Sequence, residues 1–280
     1  MTQLARPLVA DAGRRSNGAT VACDVDLELP GREAKPRRTG ITIAIDPGAP
    51  THLFEDVIDS QAPLIDFVKF GWGTALVTRD LDRKIACLRC NRVEFFFGGT
   101  LFEKFLVQRR LDGFRAFCHG HGCRYVEVSN GTIPLSNSDK AGHVRSLAAE
   151  FHVVSEVGFK DPGRSGELGP SEWASCIRED LEAGASLVLT EARESGRSGI
   201  CTADGKPRLD VVEAILGSGV DFERIVFEAP SKDLQTYFIR RVGPEVNLGN
   251  VALADVIPLE TLRLGLRADT LLEGLEVIHA

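Results

Sequence analysis

The sequence predicts an α/β protein folded as a (β/α)8 TIM barrel with an N-terminal extension, and three observations support that fold class. Eight short runs of β-branched or aromatic residues each end at a charged or amide residue close to Gly, Ser or Pro. The runs recur at intervals of roughly 25 to 35 residues, which suits one strand and one crossover helix. Helix-like stretches follow the runs. Polar groups therefore collect at one end of successive parallel strands, where such a barrel builds its active site, and the pattern predicts an enzyme.

The composition fits one large globular domain in a reducing compartment. The chain has 280 residues, a net charge of -7 and seven cysteines. An acidic chain without a basic stripe is a poor binder of nucleic acid. No apolar stretch approaches the roughly 18 residues of a membrane span, and the N-terminus lacks the apolar core of a secretory signal. An odd number of cysteines fits free thiols. We therefore expect a cytoplasmic protein without nucleic-acid or membrane partners.

Two regions are predicted along the chain. Residues 1–39 form the N-terminal extension, and residues 40–280 form the catalytic (β/α)8 barrel. The extension contains Pro7, Pro30 and Pro36 and a basic patch at Lys35–Arg38, without a long periodic segment. One strand is expected in it, over Ala22–Leu29. No linker divides the chain after residue 40, so the barrel is expected to be a single domain that the extension partly covers.

The eight runs are expected to be the barrel strands, each continuing into a loop on the catalytic face. Because successive side chains of a strand point to opposite faces, Phe67 and Lys69 lie on one face of the second strand and Val68 and Phe70 on the other. In chain order the runs are Ile41–Gly48, Ile65–Thr74, Val93–Thr100, Tyr125–Thr132, His152–Lys160, Leu187–Gly196, Ile225–Lys232 and Val246–Val251.

Five stretches between the runs carry helix signals. Asp80–Arg89 opens with an acidic residue and ends in basic residues, which matches the helix dipole. Ser171–Ala183 has apolar residues at helical spacing and stops before a glycine. Leu209–Leu216 and Lys232–Arg240 have the same character, and Glu260–Leu266 is expected to be the last barrel helix.

The strand ends carry many ionisable and polar groups. Carboxylates crowded into a dry site must bind a cation, hold a proton or pair with Lys and Arg. A hard divalent cation, Mg²⁺ above all, suits oxygen ligands, and with nearby cations and glycine-rich turns it would receive a phosphorylated carboxylate. For any one carboxylate, an ion pair or a helix cap is an equally good account. The groups are Lys69, Lys160, Arg193, Lys232, Asp46, Glu127, Glu156, Glu191, Glu194, Glu228, Asn247 and Asn250.

Two cysteine pairs offer a different metal site. Cys118 and Cys123 flank two histidines, and Cys87 and Cys90 stand three residues apart. The second pair falls inside a predicted helix, however, and the spacing between the pairs suits no standard zinc ribbon. We therefore do not assign zinc to them.

Seven motifs, taken together, resemble the phosphosulfolactate synthase family in order and spacing over about residues 36 to 270. They read IDFVKFGWGT, FFFGGTLFEKF, VEVSNGT, SEVGFKD, LEAGASLVLTEARESG, IVFEAPSK and VNLGNV, the last followed by LETLRLGLRADT. The resemblance implies a (β/α)8 barrel that adds sulfite to phosphoenolpyruvate with Mg²⁺ and gives (2R)-O-phospho-3-sulfolactate. It would then be a carbon–sulfur lyase.

Three residues are expected to be catalytic: the resemblance implies the role of Lys160, and the chemistry of the residues themselves predicts the roles of Lys69 and Arg193. Lys160 matches the lysine proposed as the general acid in the family, a role that requires burial and neighbours to lower its pKa towards neutrality. Lys69 is expected to grip phosphate or carboxylate, with an ion pair to Asp46 or Glu94 as the competing account. Arg193 and Ser195 suit oxyanion contact.

The remaining site assignments follow barrel chemistry. Glu191 and Glu228 are the preferred Mg²⁺ ligands, with Glu156 next. Phosphate sites of such barrels favour the seventh and eighth loops, and glycine-rich turns offer backbone amides to anions. The expected substrate-binding residues are Gly71, Gly73, Gly98, Gly99, Ser195, Ser231, Lys232 and Asn250.

Two other functions stay open. The barrel could add a different nucleophile to phosphoenolpyruvate or a similar enol phosphate, or the chain could be a non-catalytic stress protein, since the family includes heat-stress-associated plant relatives. The segment Asp161–Trp173, directly after Lys160, departs from the simplest family pattern and could act as a lid. The expected partners are the small-molecule substrates and further copies of the chain in a homo-oligomer.

Overall fold

The computed structural model describes residues 26–273 and confirms the predicted fold class. Eight strands form one sheet in the order β3-β2-β1-β8-β7-β6-β5-β4, and each of the paired neighbours runs parallel. Strands β3 and β4 meet where the barrel closes, and the Gly99 amide after β3 donates to Glu127 of β4 at 2.8 Å. The strands are β1 Thr42–Asp46, β2 Phe67–Phe70, β3 Glu94–Phe97, β4 Tyr125–Val128, β5 His152–Val157, β6 Ala185–Thr190, β7 Ile225–Glu228 and β8 Leu248–Ala252.

Helices connect the strands across the outside of the barrel. Four of the five predicted helices agree with the structure to within a few residues. The last one was placed too late, because it runs over Val256–Arg263 and not Glu260–Leu266; Pro258 lies in its first turn, where proline is tolerated. The helices are α1 Thr51–Gln61, α2 Leu81–Cys90, α3 Gly99–Val107, α4 Leu111–Gly120, α5 Asn137–Leu147, α6 Pro162–Glu167, α7 Pro170–Glu182, α8 Leu209–Gly217, α9 Lys232–Val242 and α10 Val256–Arg263.

Strand alternation divides the core into an inner and an outer layer. Phe67 packs inside the barrel, and Val68 and Phe70 pack outside against the helices, as predicted. The inner layer fills the barrel below the catalytic face, so the barrel interior is closed beneath the pocket. Its members are Ile41, Ile43, Phe67, Phe96, Val154, Leu187, Leu189 and Val226.

The described part of the extension packs across the opposite end of the barrel. Arg32 is 4% exposed and lies between Glu245 and Glu260. Arg37 is also buried and donates both to Asp66 and to the carbonyl of Pro63. The strand expected over residues 22–29 is wrong for 26–29, which form no strand, and residues 22–25 lie outside the described part. The domain boundary at residue 39 stays a prediction.

Two further properties concern the described residues only. Within 26–273, each helix is too short or too polar to cross a lipid bilayer. The six cysteines described there have free thiols, and Cys23 lies outside that range.

Candidate active site

A small pocket opens at the carboxyl ends of the strands. Strands β2, β4, β5 and β7 and the loop after β6 supply its buried charged side chains, and the loops after β2, β3, β5 and β6 form its walls. Because the strands are parallel, the polar residue that ends each run reaches the same face. The structure brings together the predicted residues Lys69, Gly71, Gly98, Gly99, Glu156, Lys160, Glu191, Arg193, Glu228 and Asn250.

Four predicted substrate-binding residues do not line this pocket. Gly73 faces open space, and Ser195 is exposed. Ser231 accepts a hydrogen bond from the Leu234 amide as the N-cap of α9. Lys232 is exposed, with its ammonium 2.7 Å from Asp269. Their roles in binding stay predictions, but a substrate would have to extend beyond the pocket to meet them.

Lys69 lies at the floor of the pocket and faces three carboxylates. Its Nζ is 3.1 Å from Glu127, 3.4 Å from Glu156 and 3.2 Å from Glu228. Burial alone would lower the pKa of Lys69, but the three carboxylates outweigh burial and raise that pKa well above its ordinary value. Lys69 is therefore a fixed cation. The pairing with Asp46 or Glu94 is wrong as an account of Lys69, because Asp46 pairs with Lys84 and Glu94 with Arg124.

Lys160 lies above Lys69, between two glutamates. Its Nζ is 2.7 Å from Glu156 Oε1 and 2.8 Å from Glu191 Oε2. Burial acts to lower the pKa of Lys160, but the two carboxylates prevail and raise it well above its ordinary value. The expected lowering towards neutrality is therefore wrong. As the site stands, Lys160 holds its proton at neutral pH.

The pocket contains more negative than positive buried groups. Four glutamates face two lysines, an excess of two negative charges when all are ionised. Backbone amides hold three of the carboxylates: Gly99 donates to Glu127, Ala192 to Glu228 at 2.9 Å, and Arg193 to Glu191 at 2.5 Å. Such a site must take up a proton or a cation, because like charges in a dry pocket do not all stay ionised.

The pKa values divide these glutamates into two groups. Burial raises the pKa of Glu127 to about 7, against the opposing effect of Lys69. Burial and the neighbouring Glu156 raise the pKa of Glu191 well above its ordinary value. For Glu156, burial is outweighed by Lys160 and Lys69, which hold its pKa far below the ordinary value. Glu156 is thus the firmly ionised member of the group.

Glu127 was missing from the predicted site set, although it belongs to the polar strand ends noted in the sequence. It follows Val126 in β4, is fully buried and contacts Lys69. The signal that would have singled it out is strand alternation. Tyr125 packs against the inner residue Phe67, so the side chain two residues later points into the barrel as well.

Three pocket residues other than glycine adopt a left-handed backbone conformation. Their φ angles are 50° for Trp72, 56° for Arg193 and 54° for Asn250. Such conformations cost free energy and occur most often at functional sites. They aim side chains that a regular strand or turn would direct elsewhere.

The donor set suits a hard divalent cation. Asn250 Oδ1 is buried in the described structure without a hydrogen-bond partner, and the carboxylates beside it carry the surplus negative charge. Within residues 26–273, no three His, Cys, Asp or Glu side chains already form a metal cage. Mg²⁺ commonly uses only one or two carboxylates and completes its shell with water and substrate oxygens, so the residues present fit that ion.

Comparisons with known proteins find one family of similar sequences. The family model described as (2R)-phospho-3-sulfolactate synthase (ComA) matches residues 30–269. The phosphosulfolactate synthase of Bacillus subtilis (strain 168) is 51% identical over 247 residues, which are 88% of this chain and 98% of that protein. The phosphosulfolactate synthase of Methanothermobacter thermautotrophicus is 40% identical over 250 residues, covering 88% of this chain and 96% of that protein.

A solved structure extends the comparison to the fold alone. The BexX/CysO complex from Amycolatopsis orientalis contains a chain that matches with a TM-score of 0.53 at 15% identity. The match covers 91% of this chain and 98% of that chain.

Proposed function

The chain belongs to the (2R)-phospho-3-sulfolactate synthase family, and we propose that its barrel pocket adds sulfite to phosphoenolpyruvate. It is an enzyme of the phosphosulfolactate synthase type. Because the proposed reaction joins sulfur to carbon, its reverse would place the enzyme among the carbon–sulfur lyases. We further propose a cytoplasmic location and a homo-oligomeric state.

The observation that carries the proposal is Lys160, a protonated lysine at the wall of a buried anionic pocket. Its ammonium is held from two sides by Glu156 and Glu191, so its position is fixed before a substrate enters. A general acid must be held within hydrogen-bond reach of the atom that receives the proton. Lys160 meets the requirement of a fixed donor that lines the pocket.

The proposed step conserves atoms and charge. The sulfur lone pair of sulfite forms a bond to C3 of phosphoenolpyruvate, and the C2–C3 π electrons move onto C2 and its carboxylate. Lys160 then gives its Nζ proton to C2, which completes O-phospho-3-sulfolactate. Lys69, fixed at the pocket floor, would stabilise the negative charge that develops on the carboxylate, since a preorganised cation in a dry site is strongly stabilising.

Binding of the substrate anions would draw on groups at the rim. Arg193 lines the pocket and is partly exposed, so its guanidinium can reach a phosphate or carboxylate that enters. Gly98 and Gly99 begin α3 at the pocket wall; their amides donate to Phe70 and Glu127, but the positive end of the helix dipole still favours anions there. Together these groups offset the negative charge that the glutamates bring.

Mg²⁺ is proposed as the cofactor. Glu191 and Glu228, with Glu156 and the free Asn250 Oδ1, would hold it together with substrate oxygens. When bound, it would supply positive charge that stabilises the enediolate. The surplus of two negative charges that the pocket would carry with all four buried glutamates ionised is what supports a divalent ion.

Lys160→Ala tests the proposal directly. Purified protein is incubated with phosphoenolpyruvate, sulfite and Mg²⁺, and phosphosulfolactate is measured by mass spectrometry. We expect product from the unchanged protein and a loss of at least about 100-fold in Lys160→Ala, because general acid catalysis supplies about that factor. Lys206→Ala is the matched control, since the Lys206 side chain is 79% exposed, pairs with Asp204 and does not line the pocket.

Different outcomes point to different functions. Binding of phosphoenolpyruvate without sulfite turnover would indicate another nucleophile. Absence of both binding and product would overturn the enzyme assignment made here and favour a non-catalytic role. Full activity in Lys160→Ala would remove Lys160 from the mechanism while leaving the reaction intact.

A further inference from the structure

Two loops of the catalytic face are joined beneath Lys160 by a pair of buried serines. One loop, residues 158–169, follows β5, and the other, residues 191–208, follows β6. Ser165 of the first loop is 3% exposed and Ser198 of the second is 2% exposed. We call this pair the serine clasp. Polar side chains buried this deeply are retained at a cost unless their hydrogen bonds are made.

Both hydroxyls of the serine clasp converge on one carbonyl. The oxygen of Phe159 accepts from Ser165 Oγ at 3.0 Å and from Ser198 Oγ at 3.0 Å. Ser198 Oγ also lies 3.1 Å from the carbonyl of Lys160, so its single hydrogen is shared between two neighbouring carbonyls. The Gly199 amide completes the clasp by donating to Ser165 Oγ at 2.7 Å. The backbone on both sides of the Phe159–Lys160 bond is therefore held from the opposite loop.

The segment Ser198–Ile200 also holds Glu191, the partner of Lys160. The Ile200 amide donates to the carbonyl of Glu191 at 2.7 Å. Gly199 has a φ of +62°, and a Cβ there would lie 1.7 Å from that same carbonyl oxygen, so only glycine fits. One tripeptide thus contacts the backbone of both Lys160 and Glu191, whose charged side-chain atoms are 2.8 Å apart.

The outer end of the first loop is fastened as well. Arg208 donates to the carbonyls of Ser165 at 2.7 Å and Leu168 at 3.0 Å. Trp173, which ends the segment that could have been a lid, is fully buried. The segment after Lys160 is therefore attached to the neighbouring loop at three points in this structure, an arrangement that suits a support better than a free cover.

We propose that Ser198, acting with Ser165, is a positioning residue that sets where the Lys160 ammonium stands in the pocket. Ser198 does not line the pocket, so it acts through the Lys160 backbone. The inference rests on the proposed function for its kinetic consequence, but its structural consequence is independent of that function. A displacement of about 1 Å at a reacting group can cost about 100-fold in rate, so a backbone support of this kind matters.

Ser198→Ala is the first test. It removes the hydrogen bonds to both carbonyls without adding bulk, and we expect kcat to fall by about 10- to 100-fold while KM changes by less than about twofold. Ser198→Cys, which keeps a weak donor in a slightly larger side chain, should give a kcat between those of the unchanged protein and Ser198→Ala. Ser60→Ala is the matched control, because its hydroxyl also donates only to backbone carbonyls, on the exposed face of α1. An unchanged kcat in Ser198→Ala would overturn the proposal.

The second test uses both serines. Ser165 and Ser198 hold the same carbonyl, so either single substitution already breaks the clasp. The fold decrease in kcat of the double Ala variant should therefore be smaller than the product of the two single decreases. If the double variant instead lost the full product of the two single decreases in kcat, the two serines would act independently, which would contradict a shared clasp. If Ser198→Ala folds poorly, the decrease in kcat of Ser165→Ala tests the clasp in its place.

Hydrogen exchange separates this inference from the proposed function. In Ser198→Ala, amides of residues 159–169 and 198–200 should exchange at least about tenfold faster, with the rest of the barrel unchanged. If the unchanged protein makes no phosphosulfolactate, the proposed reaction is wrong, and the hydrogen-exchange rates alone then test the clasp. Unaltered exchange in these two segments would reject it whatever the activity.

Discussion

Glu127 shows how burial and a nearby cation compete at a single residue. Its carboxylate is fully buried, 3.1 Å from Lys69 and held by the Gly99 amide. These contacts favour the ionised form, but burial is the larger effect and raises the pKa of Glu127 to about 7. The folded protein therefore keeps a proton on this residue at a pH where an unfolded chain has lost it.

The sign of the resulting pH dependence follows from linkage. The contribution of Glu127 to stability is fully present below its ordinary pKa of 4.5 and is lost as pH rises through about 7. Glu127→Gln cannot titrate. Urea unfolding of the metal-free proteins should therefore show the wild type losing about 2 kcal/mol relative to Glu127→Gln between pH 5 and pH 8.

The control for this measurement is a glutamate with the opposite shift. Arg241 lowers the pKa of the exposed Glu213, so Glu213→Gln should not reproduce the trend. A wild-type curve parallel to that of Glu127→Gln across the pH range would contradict the pKa of Glu127.

At the scale of elements, the first residues of α3 both begin the helix and contact a glutamate of the pocket. Gly98 is the N-cap without a side-chain cap, and Gly99 donates its amide to Glu127. Alanine normally stabilises a helix relative to glycine. A Cβ on Gly99, however, would lie 2.4 Å from Ser129 Oγ and 2.8 Å from Glu127 Oε1. The close approach of α3 to β4 therefore overrides helix propensity.

Two Gly→Ala variants should consequently change the free energy of unfolding in opposite directions. Gly99→Ala should lower the free energy of unfolding by about 1 to 3 kcal/mol through overpacking, and also reduce activity because Glu127 must move. Gly142→Ala, in α5 with open space around its Cβ, should raise it by about 0.5 to 1 kcal/mol and leave activity unchanged. Chemical denaturation measures both. Equal shifts in the two variants would contradict the contact at Gly99.

The elements also show which parts of the fold and site a sequence can predict. All eight strands lie at the predicted runs, because apolar runs with polar ends mark buried parallel strands directly. Residues inside strands, such as Lys69 and Glu228, were placed by the same rule. Residues beyond the strand ends were placed less reliably: Lys160 lines the pocket, but the exposed Ser195 and Lys232 do not, since the alternation of a strand no longer fixes side-chain direction there. The pKa of Lys160 was missed because its two carboxylate partners come from different elements, Glu156 from β5 and Glu191 from the loop after β6.

In the whole molecule, the pocket residues and the ion pairs that attach the extension lie at opposite ends of the barrel. The pocket lies at the carboxyl ends of the strands, and the extension packs across the amino ends. There Arg32 links Glu245, after α9, to Glu260 in α10, at 2.5 and 2.9 Å. The inner apolar layer lies between the two ends of the barrel. The geometry of the pocket should therefore not depend on the ion pairs that Arg32 makes at the amino ends.

Arg32→Ala tests this separation. It leaves Glu260 buried without its cation, and removing one partner of a buried pair costs about 3 kcal/mol or more. We expect that loss in urea unfolding, while kcat, measured well below the melting temperature, stays within about twofold because the pocket is at the other end. Arg38→Ala is the matched control: its side chain is 80% exposed, and its pair with Glu223 should contribute less than about 1 kcal/mol. A large fall in kcat at unchanged stability in Arg32→Ala would show instead that the two ends are coupled through the barrel.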